Sequence, residues 1–213
     1  MSKQIYVQAQ ADHIESMFKG SPLAAIEELV WNALDADAKE VKVDLVTNAL
    51  GAVDAVRIED DGSGIDFGLV DHTFGYLGGS WKREGKGTES EGRRLHGRHG
   101  RGRFKAFALG LNVEWKTTRQ SDGKLVGFRI SGAADRPGVF DIDEAEAGAR
   151  CGTEVMVTNV RAVTDSLLDA GETVQNLAAK FALYLKSYPD VRIYFNGLPV
   201  TPVVVQKRTT DYK

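Results

Sequence analysis

Apolar side chains at Leu23, Ile26, Leu29, Val30 and Ala33 recur with the spacing of one helix face, and Ser21-Pro22 ahead of them supplies a cap and a first helical residue that needs no donor. This spacing predicts a helix over residues 22–34. Val41, Val43 and Leu45 alternate with polar neighbours, and Val53, Val56 and Ile58 do so less regularly, so both runs read as strands joined by a turn at residues 48–51. Further strands are predicted over residues 113–118, 125–130, 153–160, 191–195 and 200–205. Asn196-Gly197 joins the last two as a hairpin, and Pro199 and Pro202, which lack an N–H, place the final strand at a sheet edge. Residues 174–185 read as a second long amphipathic helix, stopped before Pro189, and Phe104, Phe107, Ala108 and Leu111 share another helical face. Residues 75–102 carry glycine, charge and Ser/Thr with neither period, the pattern of a long functional loop. The order helix, strands, loop, helix, strands suggests an α+β layer sandwich with helices on one sheet face.

Composition adds bounds to this picture. With 213 residues, 42% of them apolar, the chain can build one substantial domain or two small ones. A single cysteine, Cys151, leaves no internal disulfide, and no apolar run has the length of a membrane span or the layout of a secretory signal. The expected compartment is cytoplasmic, with no membrane partner. Charge is nearly balanced, 27 basic against 30 acidic residues, so bulk charge does not argue for nucleic acid. Its distribution is uneven: Lys82, Arg83, Lys86, Arg93, Arg94, Arg98, Arg101, Arg103 and Lys105, with His96 and His99, are opposed locally only by Glu84, Glu89 and Glu91. That cluster calls for solvent or an anionic neighbour.

Three elements carry candidate chemistry. Glu28, Asn32 and Asp35 lie four and seven residues apart on one polar stripe of the first helix. Any surface helix has such a stripe. Asp60 ends a strand ahead of Gly62 and Gly64, where a carboxylate could accept the exocyclic amine of a purine, although Asp and Gly also suit an ordinary turn. The third element is Gly97-Arg98-His99-Gly100-Arg101-Gly102-Arg103-Phe104, glycines entering a helix, whose free amides could hold phosphate oxygens or simply form a hinge.

In this order and spacing the three elements resemble the motifs of the GHKL superfamily, the ATPases of gyrase, Hsp-type chaperones, histidine kinases and MutL. Glu28-x3-Asn32-x2-Asp35-Ala36 is similar to the first motif, Asp60-x-Gly62-x-Gly64 to the second, and Gly97-x2-Gly100-x-Gly102 to the third. Gly152-Thr153 resembles the late threonine element, and the likeness runs from about residue 23 to residue 160. Within the superfamily, Glu-Leu-Val-x-Asn-x-Leu-Asp-Ala is similar to the opening of MutL, and Gly78-x-Ser80-x-Lys82 to the start of the MORC lid. Histidine kinases fit less well, because a Gly-Leu-Gly-Leu pattern is absent.

The resemblance implies one GHKL-type ATPase domain of the Bergerat fold over residues 1–213. Its sheet would be mixed and mostly antiparallel, with residues 1–20 as an N-terminal segment and 75–102 as an ATP lid. It implies ATP and Mg2+ as ligands, Asn32 as the magnesium residue, and Glu28 as the base that orients or deprotonates the attacking water. Glu27 projects from another side of the helix. Asp60 would receive the adenine amine with Thr153 in support, while Gly62 and Gly64 leave room for the base. Ser80, Lys82, Gly97, His99, Gly100, Arg101 and Gly102 would meet the phosphates. Related dimeric proteins send a lysine from a second domain, so the chain is expected to be the N-terminal part of a longer protein. Residues 1–20 could then pack across an ATP-dependent homodimer or on their own sheet. The alternatives are a nucleotide-dependent switch without hydrolysis, and a DNA-associated clamp that uses the basic lid non-specifically through Arg93 and Arg94.

Overall fold

The computed structural model describes residues 10–75, 87–96, 102–161 and 165–202. Ser80, Lys82, Gly97, His99, Gly100 and Arg101 lie outside these described residues. The helices are α1 (Ala11–Ser16), α2 (Pro22–Asp35), α3 (Val70–Gly75), α4 (Gly102–Lys105), α5 (Asp165–Leu168) and α6 (Ala170–Ser187). The strands are β1 (Glu40–Thr47), β2 (Val53–Asp60), β3 (Gly110–Ser121), β4 (Lys124–Ala133), β5 (Phe140–Ala145), β6 (Gly152–Val160), β7 (Arg192–Phe195) and β8 (Leu198–Pro199). They form one sheet in the order β5-β4-β3-β6-β2-β1-β7-β8. Its strand pairs are antiparallel except β1–β7, which is parallel and becomes available because α6 carries the chain back across the sheet.

Alternation sets the two faces. Val41, Val43, Val56, Ile58, Val113, Trp115, Ile130, Val155, Val157, Ile193 and Phe195 are buried beneath α2 and α6, whose Ile26, Leu29, Val30, Leu34, Leu177 and Phe181 complete the core. The residues between them face outward and pair with one another, Lys42 with Glu40 along β1 at 2.7 Å, and across strands Arg57 with Asp44 at 2.9 Å and Arg129 with Asp143 at 3.3 Å. Such exposed pairs add little stability, about 0–1 kcal/mol each, but they keep the open face polar. A groove of about 320 Å3 on that face, lined by Asn112, Glu114, Ser131, Arg136, Met156 and Thr158, lies across the sheet from the motif residues.

Local chemistry explains most boundaries. Ser21 Oγ accepts from the Ala24 N–H at 3.2 Å and Pro22 opens α2, as the sequence predicted. Asn48 Oδ1 accepts from the N–H groups of Leu50 and Ala52, closing the β1–β2 hairpin. Asn196 and Gly197 both take positive φ, 47° and 76°, the backbone of a two-residue primed turn, and β8 with Pro199 stands at the edge.

Three expectations change. The final strand is only Leu198–Pro199 among the described residues. Leu111 belongs to β3 and is 43% exposed, because the turn after α4 ends at Ala108 and the chain is extended from Gly110. The edge strand β5 was not anticipated, since Phe-Asp-Ile-Asp-Glu-Ala has too few apolar positions to show a period. Residues 87–96 carry neither helix nor strand, as the loop reading predicts, and are packed against the domain. Of the N-terminal segment, residues 10–20 pack on their own core: Phe18 stacks on Phe107 with ring centroids 4.6 Å apart.

Candidate nucleotide site

Three segments meet at the end of β2. Ala36 follows the last turn of α2, and its carbonyl accepts the Ser63 N–H at 2.7 Å. A β-carbon on Gly62 would stand 2.6 Å from that same carbonyl, so glycine at 62 is what lets the α2 end and the Asp60 turn close on each other. Gly64, at φ 75°, presses in the same way on the Thr118 carbonyl, and Gly152 on the carbonyl of Asp60. At Gly62 and Gly64 the direction a β-carbon would take is occupied by a neighbouring carbonyl, so each lets two backbone segments close on each other. Asp61 ties the turn down from the other side, its Oδ1 accepting from the N–H groups of Lys39 and Glu40 at 2.7 and 2.8 Å.

Asp60 is aimed by this frame. Its Oδ1 accepts the Gly62 N–H at 2.8 Å and the Thr153 N–H at 3.3 Å. Oδ2 accepts no hydrogen bond from the described residues. Part of Asp60 stays accessible, yet burial is the largest influence on its carboxyl and pushes its pKa from 3.8 up to about 7, against the two N–H bonds, which lower it. Thr153 sits opposite Thr117 in the β3–β6 register, and their hydroxyls are 3.1 Å apart. Thr117, only 1% exposed, also accepts the Ile65 N–H at 2.9 Å. Sequence reasoning missed Thr117, a threonine in a strand whose partner lies far along the chain.

The second half of the site is on α2. Glu28 and Asn32, one turn apart, are both half-buried. Glu28 faces the glycine that opens α4: a β-carbon on Gly102 would lie 3.0 Å from the Glu28 Cγ and 3.1 Å from its Cδ. Glu27 instead pairs with Lys180 at 2.7 Å, in keeping with its different helix side. Among the described residues, no group of three or more His, Cys, Asp or Glu side chains could hold a metal ion. A magnesium site using one protein amide oxygen, with phosphates and water as the other ligands, fits this donor set.

Asp35 completes the stripe with a role of its own. It is 6% exposed, and its Oδ1 accepts the His96 N–H at 2.8 Å. Asp37, in the left-handed region at φ 62°, accepts from the Thr88 hydroxyl and from the N–H groups of Ser90 and Glu91. Arg93, 4% exposed, donates to the Ala38 carbonyl at 2.7 Å and lies 5.6 Å from the Tyr188 ring centroid. His96 stacks on Trp31 with centroids 4.1 Å apart. Residues 87–96 therefore form a strap docked on the C-terminal end of α2 and on α6.

The basic run divides accordingly. Arg93 faces the interior, and so does Arg103, held over the Phe104 ring at 4.5 Å, with burial lowering its pKa to about 10. Lys105 is turned to the Lys19 carbonyl at 2.9 Å. Arg94 is exposed, with its backbone N–H given to the Tyr188 hydroxyl at 3.3 Å.

The eight-stranded α+β sandwich thus holds an aimed acid at the end of β2 and Glu28 of α2 against the glycine that opens α4. The sequence profile of the Histidine kinase-, DNA gyrase B-, and HSP90-like ATPase family matches residues 21–135, and the chain belongs to that family. No curated protein matches it. Membership assigns ATP binding to the chain. Among the described residues, no helix is long and apolar enough to cross a membrane.

Proposed function

We propose that the chain hydrolyses ATP to ADP and phosphate, with Glu28 and Asn32 acting at the phosphates and Asp60 at the adenine. The observation that carries this reading is the placement of Glu28 against Gly102, which brings a half-buried carboxylate to the glycine opening of a helix. Glu28 takes a proton from water as its oxygen bonds to the terminal phosphorus, and the bond from that phosphorus to the bridging oxygen breaks. ADP leaves with the bonding electron pair. Asn32 would hold magnesium, which supplies charge neutralisation at the phosphates. At the other end, the open Oδ2 of Asp60 receives the adenine amine, with Thr153 beside it and Gly62 and Gly64 fixing the wall. Ser80, Lys82 and the amides of Gly97, His99, Gly100, Arg101 and Gly102 are assigned to phosphate contacts. ATP-dependent pairing of two copies is the output that this reading favours.

Glu28→Ala tests the assignment. ATP affinity should stay within about threefold while phosphate release falls by at least ~100-fold, the usual scale for loss of a general base. Undiminished turnover would overturn it.

A further inference from the structure

Arg119 stands two residues beyond Thr117 on β3 and takes no part in the chemistry assigned so far. Its guanidinium gathers acceptors from two separate segments. Nη2 donates to both carboxylate oxygens of Glu89 at 3.0 Å, Nη1 donates to the Gly64 carbonyl at 3.4 Å, and Nε lies 3.6 Å from Asp66 Oδ2. The Arg119 side chain is 22% exposed and that of Glu89 63%, so Arg119 is the fixed half of the contact and Glu89 the half that can leave.

Gly64 and Asp66 belong to the turn that carries Asp60. On its α2 side this turn is held by the Ala36 carbonyl, which accepts the Ser63 N–H, and by Asp61, which accepts from Lys39 and Glu40. On its β3 side the Thr117 hydroxyl accepts the Ile65 N–H and Arg119 takes the Gly64 carbonyl. Glu89 brings in the strap. Its neighbours Thr88, Ser90 and Glu91 donate to Asp37, one residue past Ala36, so this part of the strap is bound to the end of α2 while Glu89 reaches β3. The Arg119–Glu89 pair therefore joins the two sides of the Asp60 turn through the strap.

We propose that Arg119 is a positioning residue that latches the strap to the base turn, and that this latch slows the release of bound ATP by keeping the Asp60 turn clamped between α2 and β3. The inference rests on the assignment of Asp60 to the adenine. An ion pair with one mostly exposed partner shifts an equilibrium only a few-fold, so its effect falls on how long ATP stays and leaves folding intact. By linkage, whatever factor the docked strap adds to ATP affinity, bound ATP returns to strap docking.

The test measures release of a fluorescent ATP analogue chased with excess ATP, and hydrogen exchange of the amides at residues 88–96, on the full chain at low salt. Wild type, Glu89→Gln, Arg119→Gln and the double variant are compared. Glu89→Gln should speed release by about threefold, and Arg119→Gln, which also frees Gly64 and Asp66, by about tenfold. Adding Glu89→Gln to Arg119→Gln should change release by less than about 1.5-fold, because the partner is already gone. ATP should slow strap exchange in wild type, and this protection should shrink by about threefold in Glu89→Gln. Unchanged release from Glu89→Gln, or effects that simply multiply in the double variant, would overturn the proposal. If Arg119→Gln does not fold, release and strap protection in Glu89→Gln decide alone. Asp60→Asn, measured alongside, separates the two readings. Wild-type ATP affinity in that variant removes the base assignment and the latch with it, whereas a large loss there with unchanged release from Glu89→Gln overturns the latch alone.

Discussion

The sheet end and the helix end of the site are built differently. At the sheet end, Asp60 is aimed by backbone N–H groups, Thr153 and Thr117 are locked by strand register, and Gly62, Gly64 and Gly152 hold neighbouring carbonyls where a β-carbon cannot fit. At the helix end, Glu28 and Asn32 are half-buried on α2, and Glu28 faces the start of α4. Recognition of a base needs groups that do not relax, because an acceptor that swings loses its power to reject the wrong donor pattern. Phosphate chemistry depends on a partly accessible carboxylate held where water and the terminal phosphate can meet. On the proposed function, the contrast gives base identity to the sheet end and turnover to the helix end.

Four outcomes would sharpen or break that contrast. The largest concerns the stored cost of the sheet end. Asp60 titrates near 3.8 in an unfolded chain and about 7 in the fold, so between those values the native state holds a proton that the unfolded state has released. Stability should therefore fall as pH rises from about 4 to about 7, by up to ~4 kcal/mol, and level off above. Denaturant titrations of wild type and Asp60→Asn across this range measure it, and the Asn variant should lack this component of the slope. Next is the strap. Arg93→Ala removes a buried charged donor and leaves the Ala38 carbonyl unsatisfied, for a loss of about 2–3 kcal/mol. Its thermal transition should drop while any low-salt DNA affinity is unchanged, whereas the reverse pattern would return Arg93 to a nucleic-acid surface. Gly102→Ala should slow turnover by about tenfold with ATP affinity within threefold, since the added methyl displaces Glu28 and nothing at the sheet end. The smallest is Ser21→Ala, which removes the α2 cap and should cost about 1 kcal/mol without changing the ATP-to-GTP ratio.

Much of this arrangement was legible from residue order because the relevant signals are local. The cap at Ser21, the turns at Asn48 and Asn196, the α2 stripe and the Asp60 turn each declare themselves within a few residues. What stayed hidden depends on partners brought from afar. Thr117 has meaning only through Thr153 and Ile65. Arg93 looked like a solvated lid charge because Ala38 and Tyr188, its partners, are set by the tertiary fold. Asp35 matched a motif with no visible task until His96 was placed on it. The close approach of Gly62 to the Ala36 carbonyl and of Gly64 to the Thr118 carbonyl likewise depends on segments distant in the chain. The short α1 and the acidic β5 lack a long apolar period, and both are held by packing against a core already formed elsewhere.

The division between sheet and helix rests most heavily on Asp60. An Asn side chain can keep the oxygen that accepts from Gly62 and Thr153, but it turns an amide donor toward the adenine amine in place of an acceptor. Calorimetric titration of ATP into wild type and Asp60→Asn at pH 8, with thermal melts on the same samples, tests this directly. The expected result is a loss of ATP affinity of at least ~100-fold together with an unchanged or higher melting temperature, since the variant no longer buries a charge. ATP binding equal to wild type in a folded Asp60→Asn chain would contradict the account.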